Sequence, residues 1–349
     1  MEITHIRIVG SGLIGSSIGL GLVQRGVAVT MIDSDPRAQK LAEDLVKSRS
    51  DRDPDIVLFA TPLGSLTEAI RGQMASPVKY GFMDISSVKT KVKAEVQALG
   101  VEPSQFLFTH PMAGREVGGV ESARADLFNA RPWIIDSSAA NAELRSAGVA
   151  LIELLGAIPI EMDSGDHDQA VALVSHLPQL VASLLAKQLL AADSQWLELA
   201  GSGLRDTVRI AGSNPDLWRE IIAANNKAIV PLLQGFIEDA TQVLTKIADE
   251  GAIAQIIEDG NKGRERIPGK HGGQARNYSY LPIVIEDKPG QLAKLFDECA
   301  VADVNVEDLT IEHSPGQFTG LITLALSEMD AAKLSQHLMK KGWSVHSPR

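Results

Sequence analysis

In 349 residues the chain has a single cysteine, Cys299. No internal disulfide can form, which excludes a disulfide-stapled secreted scaffold and makes a reducing compartment the expected home. Positive charge is also short: 33 Lys and Arg stand against 44 Asp and Glu, a formal net charge of −11. Nucleic acid and anionic membrane surfaces call for a basic stripe, so neither is an expected partner. The first residues, Met1-Glu-Ile-Thr-His-Ile-Arg7, lack the basic n-region and apolar run of a signal peptide. No uncharged apolar stretch is read as approaching the roughly 20 residues of a spanning helix. Internal repeats and low-complexity tracts are missing as well. These absences predict a cytoplasmic globular protein.

Hydrophobic residues make up 44% and charged residues 22%, an ordinary globular balance. The length exceeds one ordinary core and predicts two or three domains. Residues 6–9 form a β-branched run followed at once by Gly10-Ser-Gly12-Leu-Ile-Gly15. A helical pattern spans 13–23, Gly26 is a plausible helix end, and an apolar strand over 27–32 ends in Asp33. This is a βαβ unit. Further strands are predicted at 56–60, 81–84, 106–109, 132–136 and 157–161, with helical patterns between most of them. Such alternation implies a mostly parallel sheet covered on both faces.

After about residue 164 the pattern changes. Val171, Val174, Leu177, Val181, Leu184, Leu185 and Leu189 recur at helical spacing, with Pro178 expected to kink the helix. Ser213-Asn214-Pro215-Asp216 reads as an N-cap followed by proline at the first helical position. The organisation expected is therefore a Rossmann dinucleotide-binding domain over 1–164 and an all-helical domain over 165–259, with apolar faces suited to a homodimer. A glycine-rich segment over 260–277 carries Lys262, Arg264, Arg266, Lys270 and Arg276 against Glu265 alone, and is expected to be a linker. A βαββαβ module follows over 278–349, which is ferredoxin-like in order.

The glycines have separate jobs in a dinucleotide site: Gly10 for the tight turn, Gly12 for close approach to a pyrophosphate, Gly15 for helix–strand packing. Leu13 and Ile14 open the helix whose N-terminus would face the phosphates, and Thr61 and Pro62 are placed beside it. Asp33, 18 residues past Gly15, is placed to accept from ribose hydroxyls and repel a 2′-phosphate, so NAD is the expected cofactor. Arg37 nearby is the feature that favours NADP, or a solvated helix start. His110 follows a strand at the carboxyl edge, where open α/β sheets place ligands, and can take a proton near neutral pH. His167 and His176 are nine apart, the wrong spacing for a helical metal pair, so no metal is expected.

Several spaced motifs coincide: Asp84-Ile-Ser-Ser87-Val-Lys89, His110-Pro-Met-Ala-Gly-Arg-Glu116, His167-Asp168, Ser175-His176-Leu-Pro178, and Arg205-Asp206-Thr-Val-Arg209 running on to Trp218. Over residues 1 to about 260 the chain thereby resembles the prephenate/arogenate dehydrogenase family of tyrosine biosynthesis. Its C-terminal Glu286-Asp-Lys-Pro-Gly-Gln-Leu292 resembles that of an ACT domain, an amino-acid-sensing fold. The resemblance implies an oxidative decarboxylation in which hydride leaves C4 of a cyclohexadiene for NAD and the ring carboxylate departs as carbon dioxide. It implies His110 as acceptor of the C4 hydroxyl proton, with Ser87 in support, and Arg209 as the fork for a substrate carboxylate. Glu116, Asp206, Trp218, His176 and Gln179 would surround the substrate. Read by themselves, Ser87 also suits an N-cap, Arg209 an ion pair and Trp218 a core position. Gln179 departs from the histidine many members carry there, which leaves prephenate and arogenate both open as substrates. Asp287, Pro289 and Gly290 would hold an aromatic amino-acid effector at a helix N-terminus. The alternatives are a β-hydroxyacid or imine-type NAD oxidoreductase, and a non-enzymatic amino-acid sensor. Lys270-His271 in the basic segment is a candidate lid over a dianionic substrate.

Overall fold

Runs of apolar and β-branched residues form the strands, and the amphipathic runs between them form the helices that cover the sheet. The computed structural model describes residues 3–115, 117–267, 278–313 and 318–348. The strands are β1 (His5–Val9), β2 (Ala28–Ile32), β3 (Ile56–Phe59), β4 (Gly81–Asp84), β5 (Phe106–Pro111), β6 (Pro132–Asp136) and β7 (Ile158–Glu161). They lie in the order β2-β1-β3-β4-β5-β6-β7. All pairings are parallel except β5 with β6. A parallel return needs a helical crossover. Among its described residues the segment joining these two strands holds the short 3-10 turn Val120–Ser122 and no crossover helix, and the chain doubles back antiparallel.

Helices α1 (Leu13–Val23), α2 (Pro36–Val46) and α5 (Ala142–Leu154) cover one face, while α3 (Leu63–Gln73) and α4 (Thr90–Ala98) cover the other. Side-chain alternation divides the strands between the two cores. Ile6, Ile8, Ile56 and Leu58 pack with Ile18, Leu22 and Leu151. Val9, Val57 and Phe59 pack with Leu66, Ile70 and Val92. The second core is rich in rings: Phe106 lies 4.8 Å from Phe108 and 6.2 Å from Phe59 between centroids. At about 1.5–3 kcal/mol for each large apolar side chain buried, these rings fix the strand ends that carry the site.

The helical run that follows comprises α6 (Ser164–Val171), a π-turn over Ala172–His176 and α7 (Leu177–Gln188). Pro178 sits in the first turn of α7, where its missing N–H costs little, and the π-turn absorbs the irregularity that the sequence predicted as a kink. From Ser164 to Ala191 the run is 28 residues, long and apolar enough by length and composition to cross a membrane. That corrects the expectation that no stretch approaches this length: His176, Gln179 and Pro178 interrupt the apolar reading without adding formal charge. Helices α8 (Ser194–Leu197), α9 (Ser202–Val208), α10 (Pro215–Ala224) and α11 (Asn226–Thr245) follow. Asn214 caps α10 by accepting from Asp216 and Leu217 N–H, with Pro215 at the first position, as the sequence predicts.

The chain forms two compact units, Met1–Asp239 and Ala240–Arg349, with the boundary inside α11. In the second unit α12 spans Glu250–Glu265, so the first residues of the expected linker are helical. Residues 268–277, with Lys270 and His271, lie outside the described residues. Then come β8 (Ser279–Glu286), α13 (Gln291–Val301), β9 (Asp308–His313), β10 (Thr319–Leu326), α14 (Glu328–Lys340) and β11 (Ser344–Val345). The sheet order is β11-β8-β10-β9, all antiparallel. Leu281, Ile283, Ile322 and Leu324 meet Leu295, Leu334 and Leu338 of the two helices on one face. Cys299 is buried among them, and burial pushes its thiol up to about 11, too high for a nucleophile near neutral pH.

Candidate functional site

Backbone constraints build the first part of the site. Gly10 follows β1 with φ +109°, and a Cβ there would lie 2.4 Å from the Ala60 carbonyl oxygen. A Cβ on Gly15 would lie 2.0 Å from the Gly10 carbonyl oxygen. At Gly12 nothing lies within 4 Å, so that backbone faces open space. Gly12 is also the N-cap of α1 and no side chain caps it, leaving first-turn N–H groups directed outward. Asp33, at the end of β2, accepts from Ser11 N–H at 2.5 Å and from Asp35 N–H at 2.9 Å. Its carboxylate thus holds the glycine turn while retaining lone pairs for another donor.

A cleft of about 1260 Å3 runs from this turn along the carboxyl ends of the strands. Gly10, Gly12, Leu13, Ile14, Asp33, Arg37, Thr61, Pro62, Ser87, His110 and Trp218 all line it. The hydroxyls of Ser11, Thr61 and Ser86 are buried at this cleft with no hydrogen-bond partner among the described residues. Buried polar groups are almost always paired, so three orphans in one cavity fit a polar ligand there. Together with the glycine turn, they suit a dinucleotide.

His110 is the next-to-last residue of β5, and that strand end is tied down by its neighbours. The Thr109 hydroxyl donates to the Asp84 carbonyl at 2.6 Å, and the Trp133 indole N–H donates to that hydroxyl at 2.9 Å. Lys89 is 1% exposed; its ammonium pairs with the Asp84 carboxylate and donates to the Thr109 carbonyl at 2.6 Å. Burial lowers the Lys89 pKa, against the pull of Asp84. His110 Nδ1 lies 2.9 Å from His167 Nε2, and His167 Nδ1 lies 2.9 Å from Asp168 Oδ1. Burial, then the neighbouring His167, Lys89 and His176, hold the His110 pKa well below the ordinary histidine value. The ring is therefore neutral and able to accept a proton across the neutral range.

Of the other predicted residues, Ser87 lines the cleft but makes no hydrogen bond to His110, whose ring is held by His167 instead. Trp218, on α10, lines the cleft, and its ring stands edge-on to His176 at 5.9 Å. His176 is buried, and burial lowers its pKa to about 4. Gln179 is buried in α7, accepting from the Ser213 hydroxyl and donating to the Ser183 hydroxyl, each at 3.3 Å. It does not line the cleft, although its partner Ser213 does. Asp206 and Arg209 are exposed and do not line the cleft. Glu116 lies outside the described residues. Asp287, Pro289 and Gly290 form an exposed turn in the second unit, with Gly290 at φ +85° opening α13. Sequence reasoning gave no role to Lys89, Asp168 or Asn225, and the last was not singled out at all. Among the described residues no His, Cys, Asp or Glu cluster could hold a metal.

Comparison with known proteins gives consistent matches. Residues 18–157 match the family described as "Prephenate dehydrogenase, nucleotide-binding domain", and residues 163–257 match "Prephenate dehydrogenase, dimerization domain". The chain is 29% identical over 357 residues to the probable prephenate dehydrogenase NovF of Streptomyces niveus, covering 97% of this chain and 99% of that one. It is 27% identical over 336 residues to the prephenate dehydrogenase of Lactococcus lactis, covering 89% and 92%. Among solved structures, arogenate dehydrogenase of Synechocystis aligns with TM-score 0.62 at 26% identity, over 75% of this chain and 99% of that one. Prephenate dehydrogenase of A. aeolicus, solved with hydroxyphenyl propionate and NAD+, aligns with TM-score 0.68 at 23% identity, over 76% and 99%. At that identity the likeness is one of fold.

Proposed function

Because the chain belongs to the prephenate dehydrogenase family, we propose that it performs the NAD-dependent oxidative decarboxylation of prephenate to 4-hydroxyphenylpyruvate in tyrosine biosynthesis. The observation that carries the reading is His110, neutral and anchored at the carboxyl end of β5, in one cleft with the glycine turn. The glycine turn, the free N–H groups of α1 and Asp33 would hold the cofactor, which when bound supplies a hydride acceptor. His110 Nε2 takes the proton of the C4 hydroxyl as hydride leaves C4 and the carbonyl forms. Cleavage of the bond to the ring carboxylate then releases carbon dioxide, and its electron pair aromatises the ring. The phenolate so formed takes the proton back from His110. Trp218 supplies an apolar wall that excludes water from the ring. Arg209 and Asp206 are proposed as substrate-side residues from the family resemblance, Ser87 from its place in the cleft.

Gln179 offers a donor and an acceptor but no charge near neutral pH. A keto-acid side chain and an amino-acid side chain are both compatible with it, so arogenate is the second substrate to test. The second unit is proposed as an ACT-like, ferredoxin-like module restraining the enzyme when an aromatic amino acid binds near Asp287, Pro289 and Gly290. Its strand–helix–strand–strand–helix–strand order and the left-handed Gly290 turn support this. The division into domains over 1–164, 165–259 and 278–349, the homodimer and the cytoplasmic setting belong to the same proposal.

The test is reduction of NAD, followed by absorbance, with prephenate and then arogenate, each with and without tyrosine. NADH from either substrate supports the reading, and a rate lowered by tyrosine assigns the sensor. No NADH from both, in protein that binds NADH, would sink it.

A further inference from the structure

Asp168, His167 and Asn225 touch the cleft only through other residues, and their hydrogen bonds run in one direction. Asp168 is buried, with its Oδ1 accepting from Lys89 N–H and its Oδ2 from Thr90 N–H, each at 2.8 Å. Burial by itself raises the pKa of a carboxyl, but here the His167 contact and those N–H donors outweigh it and hold Asp168 below the ordinary carboxylate value. An ionised carboxylate only accepts. In a neutral His167 the proton then sits on Nδ1, 2.9 Å from Asp168, and Nε2 presents a lone pair. The next nitrogen, His110 Nδ1 at 2.9 Å, must be the donor, which leaves His110 Nε2 bare.

We propose that Asp168 and His167 form a positioning relay that fixes His110 in the Nδ1–H tautomer, with Nε2 free to accept the substrate hydroxyl proton. The proposal rests on the functional reading above and extends it to two residues that touch neither substrate nor cofactor. The same residue 168 serves a second histidine. Asn225 donates from its amide nitrogen to the Asp168 carbonyl at 2.7 Å, and that nitrogen lies 3.1 Å from His176 Nδ1. With its second hydrogen it donates to His176, which therefore carries its proton on Nε2. The two histidines are held in opposite tautomers, one an acceptor and the other a donor. The groups that act on His110 are His167 and Asp168 of α6, His176 of the π-turn, and Lys89 before α4. The three cationic or imidazole groups oppose its protonation, and Asp168 favours it. When Nε2 takes the hydroxyl proton, the O–H bond breaks and an N–H bond forms. The imidazolium produced is then stabilised by Asp168 through His167, as in other carboxylate–imidazole pairs.

Two-bond 15N–1H correlation spectra of the full-length protein with labelled histidine, recorded at neutral pH without substrate, read the tautomers directly. The relay predicts a protonated Nδ1 and a bare Nε2 on His110, and a shift toward the other tautomer in Asp168→Asn. Kinetically, His167→Leu is expected to lower kcat by roughly 10²–10⁴-fold with KM within about 3-fold. His167→Gln should recover part of that loss, because its carboxamide can accept from His110 and donate to Asp168. Asp168→Asn should also move the acid limb of the kcat profile to lower pH, since a charge that favours the His110 imidazolium is gone. A His110 protonated on Nε2 in the native protein overturns the relay, as does His167→Leu with unchanged kcat. Equal losses in the Leu and Gln variants alongside a matching fall in Tm would also overturn it, by showing a purely structural role. A native enzyme that forms no NADH would overturn the reaction reading instead, and the tautomer spectra would then decide the relay alone.

Discussion

His176 is 2% exposed and neutral in the fold down to about pH 4, whereas an unfolded histidine takes up its proton near 6.5. Between those values the unfolded chain binds more protons than the native one, so stability is complete above about 6.5 and is lost as pH falls toward 4. His167 opposes its protonation and Asp168 favours it, burial being the larger effect. Replacing His176 by Gln should therefore flatten the acid side of the stability profile by about 1 kcal/mol per pH unit over that window. Urea midpoints at pH 7, 5.5 and 4.5 for both proteins check this, and parallel profiles would contradict it. His110 has the same sign, so the activity of the native protein should persist well below pH 6.5 before its base is lost.

At the scale of the element, the glycine turn separates two kinds of constraint that one motif conceals. Gly15→Ala puts a methyl 2.0 Å from the Gly10 carbonyl oxygen, a backbone atom that cannot move aside. It should cost roughly 2–4 kcal/mol of stability as well as NADH affinity. Gly12→Ala meets no protein atom within 4 Å, so it should leave Tm unchanged and weaken NADH binding alone. Thermal melts with NADH titrations distinguish them; equal Tm losses would contradict the assignment. The turn was legible in sequence because local backbone geometry demands glycine there, and so were the strands with a continuous apolar run. The last turns of helix α12, past residue 259, were not. Gly260 and Gly263 read as linker, yet they lie in its last turns, where each costs about 1 kcal/mol relative to alanine. The Asp249 cap and Glu250 at the start, with Lys262 and Arg264 at the end, offset that cost by complementing the helix dipole. Part of the charge cluster read as a basic tether is therefore helix-end chemistry.

At the scale of the molecule, the parts of the site that escaped the sequence are those joined only by packing. His110 meets His167 across 57 positions, and Asn225 meets Asp168 across another 57, with no periodicity linking them. The antiparallel β5–β6 pair escaped for a similar reason, being set by the lack of a crossover helix rather than by either strand. Exposed apolar side chains gather on the helical part of the first unit, among them Leu190 at 86%, Trp196 at 70% and Leu199 at 84%. A second copy of the chain would cover these side chains. Light scattering should give twice 37.3 kDa, and Leu190→Asp with Leu199→Asp should shift the mass toward the monomer. A monomeric native chain would contradict the homodimer.

The proposed role of His110 is to accept the substrate proton in the cleft lined by the glycine turn. The direct measurement is NADH formation from prephenate or arogenate by native protein and by His110→Asn, with the NADH dissociation constant of each. The expected result is a turnover lowered by roughly 10²–10⁴-fold with the dissociation constant unchanged. A variant that keeps its turnover within a few-fold of native would contradict this role for His110.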